Sequence, residues 1–488
     1  MEKEIKQLMD VHHQVHRLAG ELGRGGQGVV YKTNDPDLVI KLVTDTAGNP
    51  INDPDQVKKY QNNLSKLKLL PIGRDIHIAK PLFMLEGYAG YVMQLVRDMH
   101  PFSELLAKKA NKQELEGFVA PTWLSSMKKE DAYSLFDYAK TGSTKRRLDA
   151  LTQCATQLAK LHGVGLVYGD ISPENVFISK STNYNHVWLI DADNLRFESK
   201  KGLSVYTPSY GAPEVVQGIE SGSSRSDCHA FSVMAFKILS MLHPFIGELV
   251  LDDSQGWDDA DESALDIEEQ AFAGLLPYID DPQDSSNCNN SGLPRFLILT
   301  PELVQLFEES FCAGRKHSWQ RPTIYHWPKA LAQAVDLSIE CDCNMTYFDS
   351  YAEEHGECPY CEEATGKKII AQTYQWLGDD GLGELRWQWS AKEKNKSFWA
   401  LPKRVFTLFQ LADHEISFME IVQKGEHYFF ELNFTHQIAV SWGLEGEKDS
   451  NFTPLNSKLA LQSSQLKQGV WFYIGSDTPL VVKIKIGE

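Results

Sequence analysis

A chain of 488 residues is longer than one hydrophobic core fills, so length alone predicts two to four domains. Its composition is ordinary for globular proteins, 42% hydrophobic with mixed charge, and a net charge of −18 argues against a chain built to wrap nucleic acid or an anionic membrane. The N-terminus, MEKEIKQLMD, is charged and lacks an apolar signal region, and the most apolar helical run, residues 230–242, is too short to span a bilayer and contains Lys237. Four of the eight cysteines fall in one tight cluster, which suits metal binding in a reducing compartment. The expectation is a soluble, multidomain, cytoplasmic protein.

His12, His13 and His16 lie in a short polar lead-in with no acid or cysteine at ligand spacing, and are expected to be solvated. Next comes Leu22-Gly23-Arg24-Gly25-Gly26-Gln27-Gly28-Val29-Val30, which fits G-x-G-x-x-G-x-V with Val30 closing the pattern. A dinucleotide-binding fold would need a helix after the loop. Here strand-forming residues follow, then the turn signal Asn34-Asp35-Pro36-Asp37 and a second apolar run at 38–43. Gly23, Gly25 and Gly28 are therefore predicted to form a flap whose backbone N–H groups approach an anion. Lys41 sits inside the second run; a lysine in an apolar strand is rare without a partner, and phosphate is its natural counter-charge. Residues 90–96 read as a further strand, 100–147 as a polar, lysine-rich helical insertion, and 147–165 as an amphipathic helix ending at Gly163/Gly165. Cys154 and His162 on that helix are expected to be packing residues.

Residues 168–214 carry the clearest chemistry. Asp170 is followed five residues later by Asn175, Asp191 ends the apolar strand WLID, and Ala212-Pro213-Glu214 closes the stretch. Phosphoryl transfer needs a carboxylate to orient and deprotonate the acceptor hydroxyl, and an Asn and an Asp to hold magnesium against the phosphates. These residues supply all three in the order of a catalytic loop and a metal-binding segment.

With motifs from both halves in order, residues from about 18 to 335 resemble the eukaryotic-like (Hanks-type) protein kinases. The resemblance implies a bilobal α+β fold, with an N-lobe over about 18–93 and a C-lobe over about 97–335. It implies ATP and Mg2+ as cofactors, Asp170 as base, Asn175 and Asp191 on the metal, and Lys41 on the α- and β-phosphates. Met93 would be the gatekeeper, with the backbones of Gln94 and Val96 contacting adenine. Asp227, in Ser226-Asp227-Cys228-His229, would hold the catalytic-loop backbone, and Arg321 would pair with Glu214. Pro173-Glu174-Asn175 and the TPSYGAPE loop resemble Ser/Thr rather than Tyr kinases, with Ser204, Thr207 and Ser209 as candidate autophosphorylation sites.

The departures are as informative. No Glu occurs between Lys41 and Glu86, so the helical stretch 53–70 offers Gln61, Asn62 and Asn63 where these kinases place the acid that pairs with the lysine. Lys41 is then held by an amide or by Asp191, or the helix is remodelled. Tyr168-Gly169 replaces His-Arg, which implies activity independent of activation-loop phosphorylation. Ser172 replaces the lysine that steadies the transferred group, removing one transition-state charge. Asp191-Ala192-Asp193 replaces D-F-G, with the bulk of Tyr168 compensating for Ala192; Asp193 is expected to cap a turn in preference to serving as a further magnesium ligand. The rivals to an active kinase are a nucleotide-binding pseudokinase scaffold and a zinc-dependent nucleic-acid or adaptor protein. The motif set is similar, more narrowly, to bacterial kinases of tellurite-resistance-type phosphorylation triads. That similarity implies a von Willebrand A-domain protein and a PP2C-like phosphatase as partners.

The acidic stretch 251–270 and the Asp/Ser/Asn-rich 280–292 read as solvated loops. Beyond them, Cys341-x-Cys343 and Cys358-Pro359-Tyr360-Cys361 have the spacing of a zinc-ribbon-like element over 336–366, four thiolates around a structural Zn2+, with His355 as a substitute ligand. The acidic surroundings argue against nucleic-acid binding there. From 367 to 488 the pattern is all-β, with strands expected at RWQWS, RVFTLFQL, HYFFELNF, QIAVSW, GVWFYIG and PLVVKIKIG. It predicts a small sandwich or barrel whose aromatics, including six of the eleven Trp, form the core.

Overall fold

The computed structural model describes the chain apart from residues 1–4, 26–27, 183, 200–204, 254–265, 379–380, 393–397, 403, 408–416, 434–438, 447–451, 456, 476–479 and 488. Ser204 and most of the acidic stretch 251–270 therefore lie outside the described residues. The chain divides into two compact units, one of residues 1–106, 153–291 and 305–325, the other of 107–152, 292–304 and 326–488.

The first unit opens with a six-stranded antiparallel sheet. Its strands are β1 (Gln7–Met9), β2 (Val15–Gly25), β3 (Gly28–Thr33), β4 (Leu38–Val43), β5 (Pro81–Met84) and β6 (Gly90–Gln94), in the order β1-β2-β3-β4-β6-β5. Gly23 and Gly25 lie in β2 and Gly28 in β3, paired antiparallel with Gly25 opposite Gly28, while Gly26 and Gln27 of the glycine motif lie outside the described residues. Gly28 has φ +155°, and a Cβ there would meet the Leu42 carbonyl oxygen at 2.2 Å, so only glycine fits between the two strands. Leu8, Ile40, Leu42, Leu85 and Val92 form the core of this sheet. The helix α1 (Pro54–Leu67) starts where the Asp53 side chain accepts the Gln56 N–H at 3.0 Å, and buries Val57 and Leu64. One expectation fails here. His16 is not solvated: its Nε2 lies 2.9 Å from Asp10 Oδ2, and both side chains are buried. The acid that pairs with it sits six residues upstream, just past the end of β1, and the β1–β2 register that sets Leu8 opposite His16 brings the two together.

The rest of this unit surrounds short strands. Helix α2 (Ser143–Gly163) joins it from Gln153 onward, and β7 (Met99–Pro101), β9 (Val176–Ser179) and β10 (Val187–Leu189) form a three-stranded sheet. The strands β8 (Leu166–Val167) and β11 (Arg196–Phe197) pair with each other. The apolar run at 230–242 becomes α3 (Ser224–Ser240), started by a Ser223–Ser226 capping box and buried along most of its length, as a core helix should be.

In the second unit, α4 (Trp327–Asp336) is followed by the hairpin β12 (Ser338–Glu340) and β13 (Thr346–Phe348) and by α5 (Asp349–His355). Two antiparallel sheets complete it. One has the order β15-β14-β23-β22-β19-β20, the other β16-β17-β18-β21. These are β14 (Lys368–Trp376), β15 (Leu382–Lys392), β16 (Phe398–Pro402), β17 (Ser417–Lys424), β18 (His427–Leu432), β19 (Val440–Leu444), β20 (Thr453–Pro454), β21 (Lys458–Gln462), β22 (Val470–Ile474) and β23 (Leu480–Gly487). Both sheets feed one core containing Trp387, Trp399, Phe430 and Phe472, with the last two rings 5.5 Å apart. The strand expected at RVFTLFQL is instead a helical turn, α6 (Arg404–Thr407), in its described part. Tertiary bonds override its β-forming residues: Arg404 grips Asp336 with 2.7 and 2.6 Å hydrogen bonds, and the Val405 carbonyl accepts the Thr373 hydroxyl.

Candidate active site

Lys41 points from the middle of β4, flanked in register by Val30 on β3 and Tyr91 on β6. Its Nζ donates to Asp191 Oδ1 at 2.5 Å and to Asp193 Oδ2 at 2.9 Å, and the side chain is only 7% exposed. Burial opposes its charge, but Asp193 and Asp191 outweigh this and raise its pKa. Asp191 is itself raised, by burial first and then by Asp193 and Asp170, against the attraction of Lys41. Asp191 takes a left-handed backbone (φ 59°), and a 3₁₀ turn, Ala192–Asn194, swings Asp193 toward the same ammonium. The expectation that Asp193 caps a turn is thereby overturned. Its Oδ2 also accepts the hydroxyl of Tyr60, from α1, at 3.0 Å.

The loop that follows β8 carries Asp170. Its Oδ2 accepts Asn175 Nδ2 at 3.0 Å, and its Oδ1 accepts Thr207 Oγ1 at 2.8 Å. Burial raises the Asp170 pKa, and those two hydrogen bonds oppose the rise. The loop backbone is held from below by Asp227, whose carboxylate accepts the N–H groups of Tyr168 at 2.8 Å and Gly169 at 2.9 Å. His162 is not merely packing. Its Nε2 lies 3.0 Å from Asp227 Oδ2; burial disfavours its charge, yet that bond, with help from Cys228, raises it to about 10. Tyr168 is fully buried, and its hydroxyl bonds the Asn175 carbonyl at 3.2 Å and the carbonyl of Ile190, the residue before Asp191. The tyrosine thus ties the Asp170 loop to the Asp191 strand by hydrogen bonds.

The donor set suits a hard cation. Asp170, Asp191 and Asp193 are electrostatic neighbours facing one ammonium, so their charge is under-compensated. Asp193 Oδ1 and Ser172 Oγ are buried without hydrogen-bond partners among the described residues. With the Asn175 nitrogen committed to Asp170, its amide oxygen is the atom left for a metal. Lower in the unit, Arg321 meets Glu214 through both Nη atoms at 2.7 and 2.6 Å and donates from Nε to the Gly314 carbonyl at 2.7 Å. Met93 is half-buried at the end of β6, Gln94 is exposed, and the N–H of Leu95 is spent on the Asp37 carbonyl at 2.7 Å.

Residues 122–292 match the family model described as protein kinase domain. That stretch carries a protein kinase domain. The chain is 35% identical over 126 residues to the serine/threonine-protein kinase pkn2 of Myxococcus xanthus, covering 24% of this chain and 15% of that protein. It is 30% identical over 111 residues to the serine/threonine-protein kinase PknA of Mycobacterium tuberculosis, covering 22% and 25%. It is 24% identical over 232 residues to the calcium/calmodulin-dependent protein kinase type 1B of Rattus norvegicus, covering 45% and 61%. The chain thus spans less than two thirds of the length of these relatives. The kinase match contains Asp170, Asn175, Asp191, Glu214 and Asp227 but begins after Gly23, Gly25, Gly28 and Lys41; of these, Lys41 reaches Asp191 and Asp193 through the fold. Three residues of the kinase site, Tyr60, Thr207 and His162, were not assigned these partners from sequence. Thr207 alone had a signal, its place in TPSYGAPE.

In the other unit, Cys341, Cys343, Cys358 and Cys361 bring their sulfurs within 4.8 Å of one another. Cys341 and Cys361 are 3.5 Å apart, and Cys343 and Cys358 are 3.9 Å apart. Four thiolates about 2.3 Å from one ion at tetrahedral angles stand about 3.8 Å from each other, so the cluster fits zinc. Each pair sits on a tight turn finished by a left-handed residue, Asn344 or Glu362. His355 is not among the clustered ligands. It is exposed and stacked on Tyr351, with ring centroids 4.1 Å apart.

Proposed function

We propose that this chain is an ATP- and Mg2+-dependent kinase that phosphorylates Ser or Thr hydroxyls of proteins. The observation that supports this most is the convergence of Lys41, Asp191 and Asp170, from three separate stretches, with Asn175 bonded to Asp170. Asp170 accepts the proton of the acceptor hydroxyl and aims its oxygen for in-line attack. Asn175 and Asp191 would hold Mg2+, which supplies charge neutralisation at the phosphates. Lys41 would hold the α- and β-phosphates, beneath the backbone of Gly23, Gly25 and Gly28 and with Val30 in the strand after the flap. Met93 and the backbones of Gln94 and Val96 would border adenine.

In this reading the kinase portion runs over 1–335, with a structural Zn2+ element at 336–366 and a β domain at 367–488. The setting is cytoplasmic bacterial signalling, and the partners are a von Willebrand A-domain protein and a PP2C-like phosphatase. No helix among the described residues is long and apolar enough to cross a membrane.

The test is transfer from γ-labelled ATP, comparing wild type with Asp170→Ala and Asp191→Ala. Label on protein that disappears in both variants is the expected result. Bound nucleotide with no transfer would replace the proposal with a scaffold, and label only from α-labelled ATP would mean a different reaction on the same fold.

A further inference from the structure

We propose that Asp193 is a positioning residue that does, from the far side of the site, what an acid on the N-lobe helix would otherwise do. It fixes Lys41 for the phosphates and, through Tyr60, ties α1 to the reacting groups. This rests on the kinase reading above.

The acids that α1 and its cap supply, Asp53 and Asp55, are exposed at its N-terminal end. What the helix sends to the site is the Tyr60 hydroxyl, which donates to Asp193 Oδ2 at 3.0 Å, while the same oxygen accepts Lys41 Nζ at 2.9 Å. Helix, lysine and metal-binding segment therefore meet at one oxygen atom. The two carboxylates on Lys41 have different prospects. When a divalent cation engages Asp191, that carboxylate has less to offer the ammonium, and a buried ammonium left without a counter-charge is costly. Asp193 is the remaining anion. It is free for this task, because its hydrogen bonds run to Lys41 and Tyr60 and not to its own turn. The fully buried Tyr91 side chain faces the same acid: burial first, then Asp193 and Asp191, hold its hydroxyl in the neutral form. A phenol on the helix with an acid on the loop thus reproduces a lysine clamp with the charge moved to the opposite partner.

The experiment uses the full chain with Asp193→Asn, Asp193→Glu and Tyr60→Phe, and Asp191→Asn as control. It measures kcat, KM for ATP, the Mg2+ concentration for half-maximal rate, and the melting temperature. Asp193→Asn should lower kcat at least tenfold and raise KM for ATP several-fold with the Mg2+ requirement unchanged, in a chain that still melts cooperatively. Asp193→Glu should recover most of the rate, and Tyr60→Phe should lose a few-fold. Wild-type kinetics in Asp193→Asn beside an inactive Asp191→Asn would overturn the proposal. So would a defect that raised Mg2+ alone repairs, since Asp193 would then be a metal ligand. If the wild type transfers no phosphate, the kinase reading fails separately. Asp193 is then judged by Mg-ATP binding, where a tenfold weakening in Asp193→Asn supports the clamp and unchanged affinity refutes it.

Discussion

Thr207 donates a 2.8 Å hydrogen bond from Oγ1 to Oδ1 of Asp170, on the carboxylate whose other oxygen is held by Asn175. The base is thus fixed from both sides before a substrate arrives. Thr207→Ala should lower kcat roughly ten- to a hundredfold, because small misplacements of a reacting group are that costly, and Thr207→Ser should retain most of the rate. The pH profile supplies an independent check. Asp170 must be ionised to act, burial raises its pKa, and the Thr207 bond opposes that rise. Removing the hydroxyl should therefore move the acidic limb of the rate profile to higher pH. The same geometry argues against Thr207 as a phosphorylation site, since a phosphate there would press a second anion on Asp170. Mass spectrometry of the autophosphorylated chain should find Thr207 unmodified.

The Arg321–Glu214 pair should be a stability element with no direct part in the chemistry. The Arg321 side chain is 1% exposed and spends its donors on Glu214 and on the Gly314 and Arg225 carbonyls. Arg321→Ala strands the Glu214 carboxylate and should cost about 3–5 kcal/mol. Chemical unfolding of the single and double variants checks this. Arg321→Ala with Glu214→Ala should lose less than the sum of the two single losses, because neither charge is then left alone.

The cysteine cluster predicts about one zinc per chain by elemental analysis, and Cys358→Ser should lose most of it. Chelation should melt the 336–366 region, where Cys341, Cys358, Ile339 and Tyr347 share a small core, because such a core is too small to persist without its metal. Four thiols that titrate freely in the native chain, with no bound metal, would refute the assignment.

How much of this was legible in the sequence follows from the range of each signal. Asp170 to Asn175 is a local spacing, and the thiolate pairs are two such spacings, so both could be read without a fold. The paired strands either side of Lys41 came from alternating apolar runs with a turn signal between them. Asp193 was misread because its partners, Lys41 and Tyr60, are 152 and 133 residues away in sequence, and a short acidic turn looks the same whether its carboxylate faces water or a buried ammonium. The His16–Asp10 pair was missed because sheet register, not spacing, brings the two together. At Arg404–Thr407 local β propensity lost to an ion pair with Asp336, which only the packed unit supplies.

The His162–Asp227 bond makes the base of the catalytic loop pH-sensitive. Both side chains are nearly inaccessible, 7% and 2% exposed, and the folded pKa of His162 is raised to about 10. An unfolded histidine titrates near 6.5, so the folded state binds this proton more tightly than the unfolded one. The stabilisation is then fully present below about pH 6.5, shrinks as pH rises, and is gone above about pH 10. His162→Gln keeps a donor for Asp227 but removes the charge. The wild type should exceed it in stability by on the order of 3 kcal/mol near pH 6, with the gap closing toward pH 10. Unfolding of the two proteins across that range measures the gap directly, and a gap independent of pH would mean that His162 is held as the neutral ring. Because Asp227 also accepts the Tyr168 and Gly169 N–H groups, loss of the imidazolium should loosen the segment carrying Asp170, and kcat of the wild type should fall on the alkaline side before global unfolding begins.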